Sequence, residues 1–345
     1  MAIRSCSIIV LFSILFVICH EENVTNVFDI RDEQHMIIKY IAALLFIISL
    51  LYGIISNVLM AISLLCGGKD NHYKRAFVHI TLHLIISNLM AFLPQIIVIL
   101  PEILQTTSDS FAYETTWINR ITSTFIIFPF FGVFHFSFLM TFYRFVVLVL
   151  PKYNACFETT RLYFLITFIW LSISAVTIGD FYYCTRKFLA WELIWEENCF
   201  ELNAGLTWWR IRFFWTLFIP NAMFVLYIAM FFSIRRKRQG ITKTRAVIRK
   251  NAKKTNHYER SMLIQAAWNC GIMEIGIISF NFLPSVLLEI FGESINIPSR
   301  IFNNCCLILI CAVLPTIHFI YSKGARSIVK RHLYKWSYLK LNSMN

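Results

Sequence analysis

The chain has 345 residues, of which 58% are hydrophobic and only 15% charged, and its formal net charge is +13. A soluble globular chain is nearer half apolar and a quarter charged. Here the apolar excess falls in blocks longer than about eighteen residues, the length needed to cross a hydrocarbon core at ~1.5 Å rise per residue. That pattern excludes a soluble domain, and a basic excess gathered at the ends of apolar blocks points to a bilayer rather than to nucleic acid.

In chain order, residues Met1 to His20 carry Arg4, an apolar run from Ser7 to Ile18, and then Cys19-His20-Glu21-Glu22. The run is too short to span comfortably. Residues 1–20 read as a signal peptide or, left uncleaved, as a marginal extra span. Asn23-Val24-Thr25 follows directly and is the only Asn-x-Ser/Thr acceptor in the chain. Its place after a leader predicts an extracellular segment over 21–36, glycosylated at Asn23.

Seven spans are predicted at about 37–65, 76–100, 121–150, 161–183, 210–234, 261–288 and 300–322. No loop between them is long enough to hold a soluble domain. Irregular backbone cannot face lipid, so the expected fold is an all-α membrane protein, a seven-transmembrane helix bundle over 37–322. Segments 67–75, 150–161, 235–260 and 323–345 hold 22 Lys and Arg, against 7 in 20–36, 101–120, 180–212 and 289–300. That asymmetry marks the first set as cytoplasmic. The amino terminus is then extracellular and the carboxyl terminus cytoplasmic, in keeping with the leader and the acceptor site.

The most basic stretch, Arg235 to Arg260, contains Arg235-Arg236-Lys237-Arg238 and Lys253-Lys254. It fits anchoring to acidic lipid, and equally a docking surface for a cytoplasmic partner. The tail 323–345 repeats Arg326, Lys330, Arg331, Lys335 and Lys340 among Ile328, Val329, Leu333, Trp336 and Leu339. It predicts a short amphipathic helix on the inner membrane face after the last span, with Trp336 at the interface.

Within the third span stands Phe142-Tyr143-Arg144-Phe145, and Pro151 closes the same stretch. An arginine at the inner end of a membrane-length helix must snorkel to water or find a partner. The stretch resembles the third span of rhodopsin-like G-protein-coupled receptors, which carry an acidic-Arg-aromatic triplet and a proline seven residues after the arginine. Arg144, Phe145 and Pro151 match that pattern, and Tyr143 replaces the acid. Asn57 in span one, a polar residue (Asn88) in span two, Trp170 in span four, and Pro220, Pro284 and Pro315 in spans five to seven are similar as well. Each proline removes a backbone bond and permits a hinge. Three features depart from the family. Asn88 stands where an aspartate is usual. Phe280-Asn281-Phe282-Leu283-Pro284 replaces Cys-Trp-x-Pro, with Phe282 at the aromatic toggle. Leu314-Pro315-Thr316-Ile317-His318 replaces Asn-Pro-x-x-Tyr.

Glu274 is a lone acid in span six, either partnering Arg144 or protonated and packed. His79 and His83 stand four apart on one helix face, a spacing that can hold a metal. No second histidine cluster supports such a site, so neither metal nor other cofactor is expected.

Of ten cysteines, Cys6 and Cys19 belong to the leader, Cys66 and Cys156 face the reducing cytosol, and Cys270, Cys305, Cys306 and Cys311 lie in spans. Cys184 and Cys199, both in the second outer loop, remain for a disulfide. It would close a hairpin holding Trp191 and Trp195. A cysteine, a tryptophan-bearing stretch and a second cysteine before span five is similar to the nematode serpentine chemoreceptors, particularly class x. That resemblance covers about Ile41 to Lys330.

What the resemblance implies is a chemosensory receptor, not an enzyme. It would bind a small extracellular ligand and activate a heterotrimeric G protein by rearranging the bundle. The coupling switch would comprise Tyr143, Arg144, Pro151, Glu274, Pro315 and His318. Aromatics of the bundle would line the pocket, with Phe128, Phe130, Phe131 and Phe282 as candidates. Span three has no Asp or Glu, which favours a small neutral or apolar ligand over a cationic amine. The competing reading is a ligand-gated channel or transporter. Insect seven-span odorant channels keep the amino terminus inside, however, and a transporter calls for repeat symmetry that this chain lacks.

Overall fold

The computed structural model describes residues 36–66, 75–104, 121–122, 125–189, 193–199, 203–241, 249–292, 295–322, 324–332 and 334. The leader, the Asn23 acceptor, Trp191 and the tail from 335, Trp336 included, lie outside them.

Among the described residues, seven helices are long and apolar enough to cross a membrane. They are α1 (Met36–Leu65), α2 (Arg75–Pro94, continued through a π-helical turn at Gln95–Ile99 into Leu100–Leu104), α3 (Ile127–Val149) and α4 (Thr159–Tyr183). The others are α5 (Asn203–Ile241), α6 (Arg249–Phe291) and α7 (Asn296–Tyr321). A further helix, α8, covers 324–332. Ala325 and Val329, four apart, are buried there, while Arg326, Lys330 and Arg331 are exposed. That is the amphipathic pattern expected after the last span.

Each of the seven helices overlaps one predicted span, and the ends differ for local reasons. Regular α3 starts at Ile127, later than 121, with Pro129 in its first turn, where a missing N–H costs nothing. α3 stops at Val149 because the residue before a proline is driven out of helical geometry, and Leu150 is at φ −120°, ψ 57°. Pro151 then opens a 3₁₀ turn, Pro151–Phe157. The basic stretch 235–260 is mostly not loop: α5 runs on to Ile241 and α6 begins at Arg249.

Helix α3 packs on α2, α4 and α5, while α7 packs on α1 and α6. α3 is the most buried span. α4 turns Phe164, Phe168, Leu171 and Ile178 outward, exposed. Such a face needs no protein partner in hydrocarbon, where lipid tails are as apolar as leucine.

Between α4 and α5 lies an antiparallel hairpin, β1 (Thr185–Leu189) and β2 (Ile194–Asn198). Cys184 and Cys199 close it through a disulfide at a sequence separation of 15, the pairing expected from the sequence. Gly205, at the start of α5, lies so close that a Cβ there would sit 1.9 Å from the Cys199 carbonyl oxygen. Only glycine lets α5 begin against the bridge.

Candidate functional site: a roofed cavity above a buried arginine

A cavity of about 550 Å³ lies inside the bundle. Its apolar wall comes from Phe130, Phe131 and Phe134 of α3 and Ile277 and Phe280 of α6. Of the aromatic residues expected there, Phe130 and Phe131 line it and two others do not. Phe128 stacks on Trp170 of α4, with ring centroids 5.5 Å apart. Phe282, 56% exposed, does not line it, whereas Phe280, itself 44% exposed, does. Phe280 takes its place, because two residues turn a helix by about 200° and put the neighbour on the opposite face.

One helical irregularity shapes the wall, and one side-chain relay ties α3 to α5 beside it. Pro94 cannot donate its backbone bond, and the π-helical turn at Gln95–Ile99 follows at once. It directs the buried Gln95 to the cavity lining. On α3, His135 Nδ1 is 2.8 Å from the Phe131 carbonyl and its Nε2 is 3.3 Å from Trp215 Nε1. A carbonyl only accepts, so Nδ1 carries the hydrogen and Nε2 accepts from the α5 indole.

The hairpin roofs the cavity. Its pleat sends Arg186, Phe188, Trp195 and Glu197 to one face, since Arg186 pairs with Glu197 and Phe188 with Trp195. Arg186 donates from Nε to Asp180 at 2.9 Å and from Nη1 to Glu197 at 2.5 Å. Arg212 of α5 donates to the same two carboxylates. Trp208 Nε1 adds a bond of 3.4 Å to Asp180. Two guanidiniums and two carboxylates thus neutralise one another and tie α4, the hairpin and α5 together. At the hairpin tip, Leu193 holds φ 53°, an uncommon conformation for a side-chain-bearing residue. Asn304 of α7 donates to its carbonyl at 2.9 Å, so the roof also holds α7.

This cluster was not foreseen from the sequence, where Arg186 and Arg212 figured only in the outer-loop charge count. The available signal was Asp180 and Arg212, two opposite charges within predicted spans four and five, which hydrocarbon forces to find partners.

At the other end of the bundle Arg144 is 2% exposed. Its Cζ lies 5.7 Å from the centroid of the Phe77 ring. Tyr227 of α5 and His318 of α7 face it. The structure therefore brings Arg144 and His318 together, with Phe77 and Tyr227 as additional neighbours. Tyr143 is buried and sets its ring edge-on to Phe157, centroids 5.0 Å apart, clamping the turn that Pro151 begins. Glu274 forms no ion pair with Arg144. It is half-buried beside Cys270, and its Oε2 makes no hydrogen bond.

Pro315 acts through α1. Lacking an N–H, it leaves the Cys311 carbonyl without its helical donor. Asn57 Nδ2 supplies one at 3.0 Å, and Asn57 Oδ1 accepts from Asn88 Nδ2 at 3.0 Å. The histidine pair expected as a weak metal candidate is otherwise engaged. His83 accepts from Trp170 Nε1 at 3.2 Å and stacks on Phe136, and His79 meets Tyr163 edge-on. Among the described residues no three His, Cys, Asp or Glu side chains group together.

The profile of the serpentine type 7TM GPCR chemoreceptor Srx family matches residues 46–295. The chain belongs to that family. The matched region runs from α1 to the residue before α7, and so takes in Arg144, the hairpin and most of the cavity wall. No curated protein matches the chain. Srx membership and seven spans make this a multi-pass membrane protein of a chemoreceptor family, which is a family of receptors.

Proposed function

We propose that the protein is a G-protein-coupled chemosensory receptor of the plasma membrane, with its amino terminus extracellular and its carboxyl terminus cytoplasmic. A small ligand enters the cavity beneath the hairpin and shifts the bundle toward a form that engages a heterotrimeric G protein. The observation that carries this reading is the position of Arg144. A buried guanidinium is costly. This one sits at the end of α3 among side chains of α2, α5 and α7, so relative movement of those helices changes its surroundings.

The mechanism is a population shift. The ligand can bias the equilibrium only by its differential affinity for the two arrangements. The hairpin holds α4 and α5 through Asp180, Arg186, Glu197 and Arg212, and holds α7 through Asn304. Contacts made under the roof therefore bear on helices that also surround Arg144. The hinges available are Pro220, Pro284 and Pro315, with Tyr143 and Pro151 fixing the inner end of α3. Glu274 lies on α6 near this end and is a candidate new partner for Arg144 in the active form. Arg235 and Arg236, exposed near the end of α5, face the G protein and the acidic inner leaflet.

The test is expression with a panel of G-protein biosensors, comparing basal and odorant-stimulated signals, with Arg144→Ala measured at matched surface delivery. A signal that falls with Arg144→Ala supports the reading. Ionic current in place of any G-protein signal would favour a channel and defeat it.

A further inference from the structure

Two buried or half-buried donors at the roof of the cavity have nothing to donate to. Arg186 is 5% exposed, and its Nε and Nη1 are taken by Asp180 and Glu197. Its Nη2 has no hydrogen-bond partner, and neither has Trp195 Nε1. Both residues line the cavity. They are diagonal neighbours on the inward face of the hairpin, Arg186 pairing with Glu197 and Trp195 with Phe188, close enough for long side chains to act on one atom. A guanidinium and an indole N–H can only donate. A buried donor left unused is costly, so a group that satisfies both is bound with advantage.

The charge around the two donors decides what kind of acceptor fits. Arg186 and Arg212 are already matched by Asp180 and Glu197. Arg300 and Glu196, which also line the cavity, add one charge of each sign, so with Asp180 and Glu197 the guanidiniums are matched and a carboxylate head would add a net negative charge close to Glu197. A neutral oxygen brings the lone pairs without the charge. Below the roof the wall is mainly aromatic and aliphatic, with Gln95, Thr216 and Asn281 as its polar groups, which suits a largely hydrocarbon body.

We propose that the cavity binds a neutral oxygenated small molecule, a ketone, ester or lactone, whose oxygen accepts from Arg186 Nη2 and Trp195 Nε1 while its hydrocarbon body lies against Phe130, Phe134 and Phe280. This rests on the receptor reading above and names the ligand chemistry of the same cavity.

The experiment uses the purified full-length protein in lipid nanodiscs and measures binding directly, without a G protein. The probes are matched sets of one carbon skeleton: decan-2-one, n-decane and decanoate, with an ester and a lactone of similar size. The expected result is that the oxygenates bind about tenfold tighter than the alkane and tighter than decanoate. Trp195→Phe, which removes one donor and keeps an aromatic ring, removes most of that advantage, read as the ratio of oxygenate to alkane binding within the same variant. Arg186→Met removes the other donor but also breaks the ion cluster, so the indole variant carries the decision. Oxygenates no tighter than the alkane, decanoate as the tightest probe, or an advantage that survives Trp195→Phe would each overturn the proposal. Oxygenate binding with no biosensor response leaves the site standing and fails the receptor reading. A response to hydrocarbon probes alone does the reverse.

Discussion

Asn57 donates a hydrogen bond of 3.0 Å to the carbonyl of Cys311, the one carbonyl in α7 that Pro315 deprives of its helical donor. The proline's hinge and the asparagine's position on a different helix are therefore one feature. The break in α7 is tolerated because α1 repairs it.

Asn57→Ala should lower the thermal stability of the solubilised protein by about 1 kcal/mol, the size of a hydrogen bond between membrane helices. In a Pro315→Ala background, where α7 satisfies its own carbonyl, the same substitution should cost less. Strict additivity in that double-mutant cycle would show the two residues to be uncoupled.

Asp180 is fully buried and receives both Arg186 and Arg212. Removing it leaves two buried guanidiniums short of a partner. Asp180→Ala should cost roughly 3–5 kcal/mol and largely abolish surface delivery. Glu197→Gln should be milder, because its side chain is 29% exposed and water replaces part of what is lost. Surface staining and melting temperature compare the two, and equal effects would contradict the ranking.

The hairpin's bridge closes a separation of 15 residues, and its loss should cost about 3 kcal/mol on the chain-entropy account. Cys184→Ser, Cys199→Ser and the double variant should be equally destabilised, since either single change removes the whole bond. Gly205→Ala should be comparably harmful, because the atom in its way is backbone and cannot rotate aside. A wild-type melting curve for Gly205→Ala would mean that α5 can shift away from the bridge.

Phe280 lines the cavity and Phe282, the more exposed of the two, does not. Phe280→Ala should raise the ligand concentration needed for half-maximal response about fivefold, losing a part-exposed aromatic contact of about 1 kcal/mol. Phe282→Ala should leave it within about twofold. The reverse order would place the ligand outside this cavity.

What could be read from one dimension was what one helix or one loop decides alone. Seven apolar blocks predict seven spans because hydrocarbon admits little else of that length. Cys184 and Cys199 pair as expected because one short loop holds both. The amphipathic helix after the last span follows from a period that its own residues carry. The family resemblance ran on the same local motifs.

What only the tertiary structure decided were relations between helices. Hydropathy sets where a helix crosses but not how it is rotated, so Phe282 was expected in the cavity that Phe280 lines. A proline marks a break without saying that Gln95 turns inward beyond Pro94, or that Asn57 repairs the break at Pro315. Asp180, Arg186, Glu197 and Arg212 counted as isolated charges until folding packed α4, the hairpin and α5 side by side. Buried charges must find partners, but which partners they find is set by packing across the bundle, and linear spacing does not encode it.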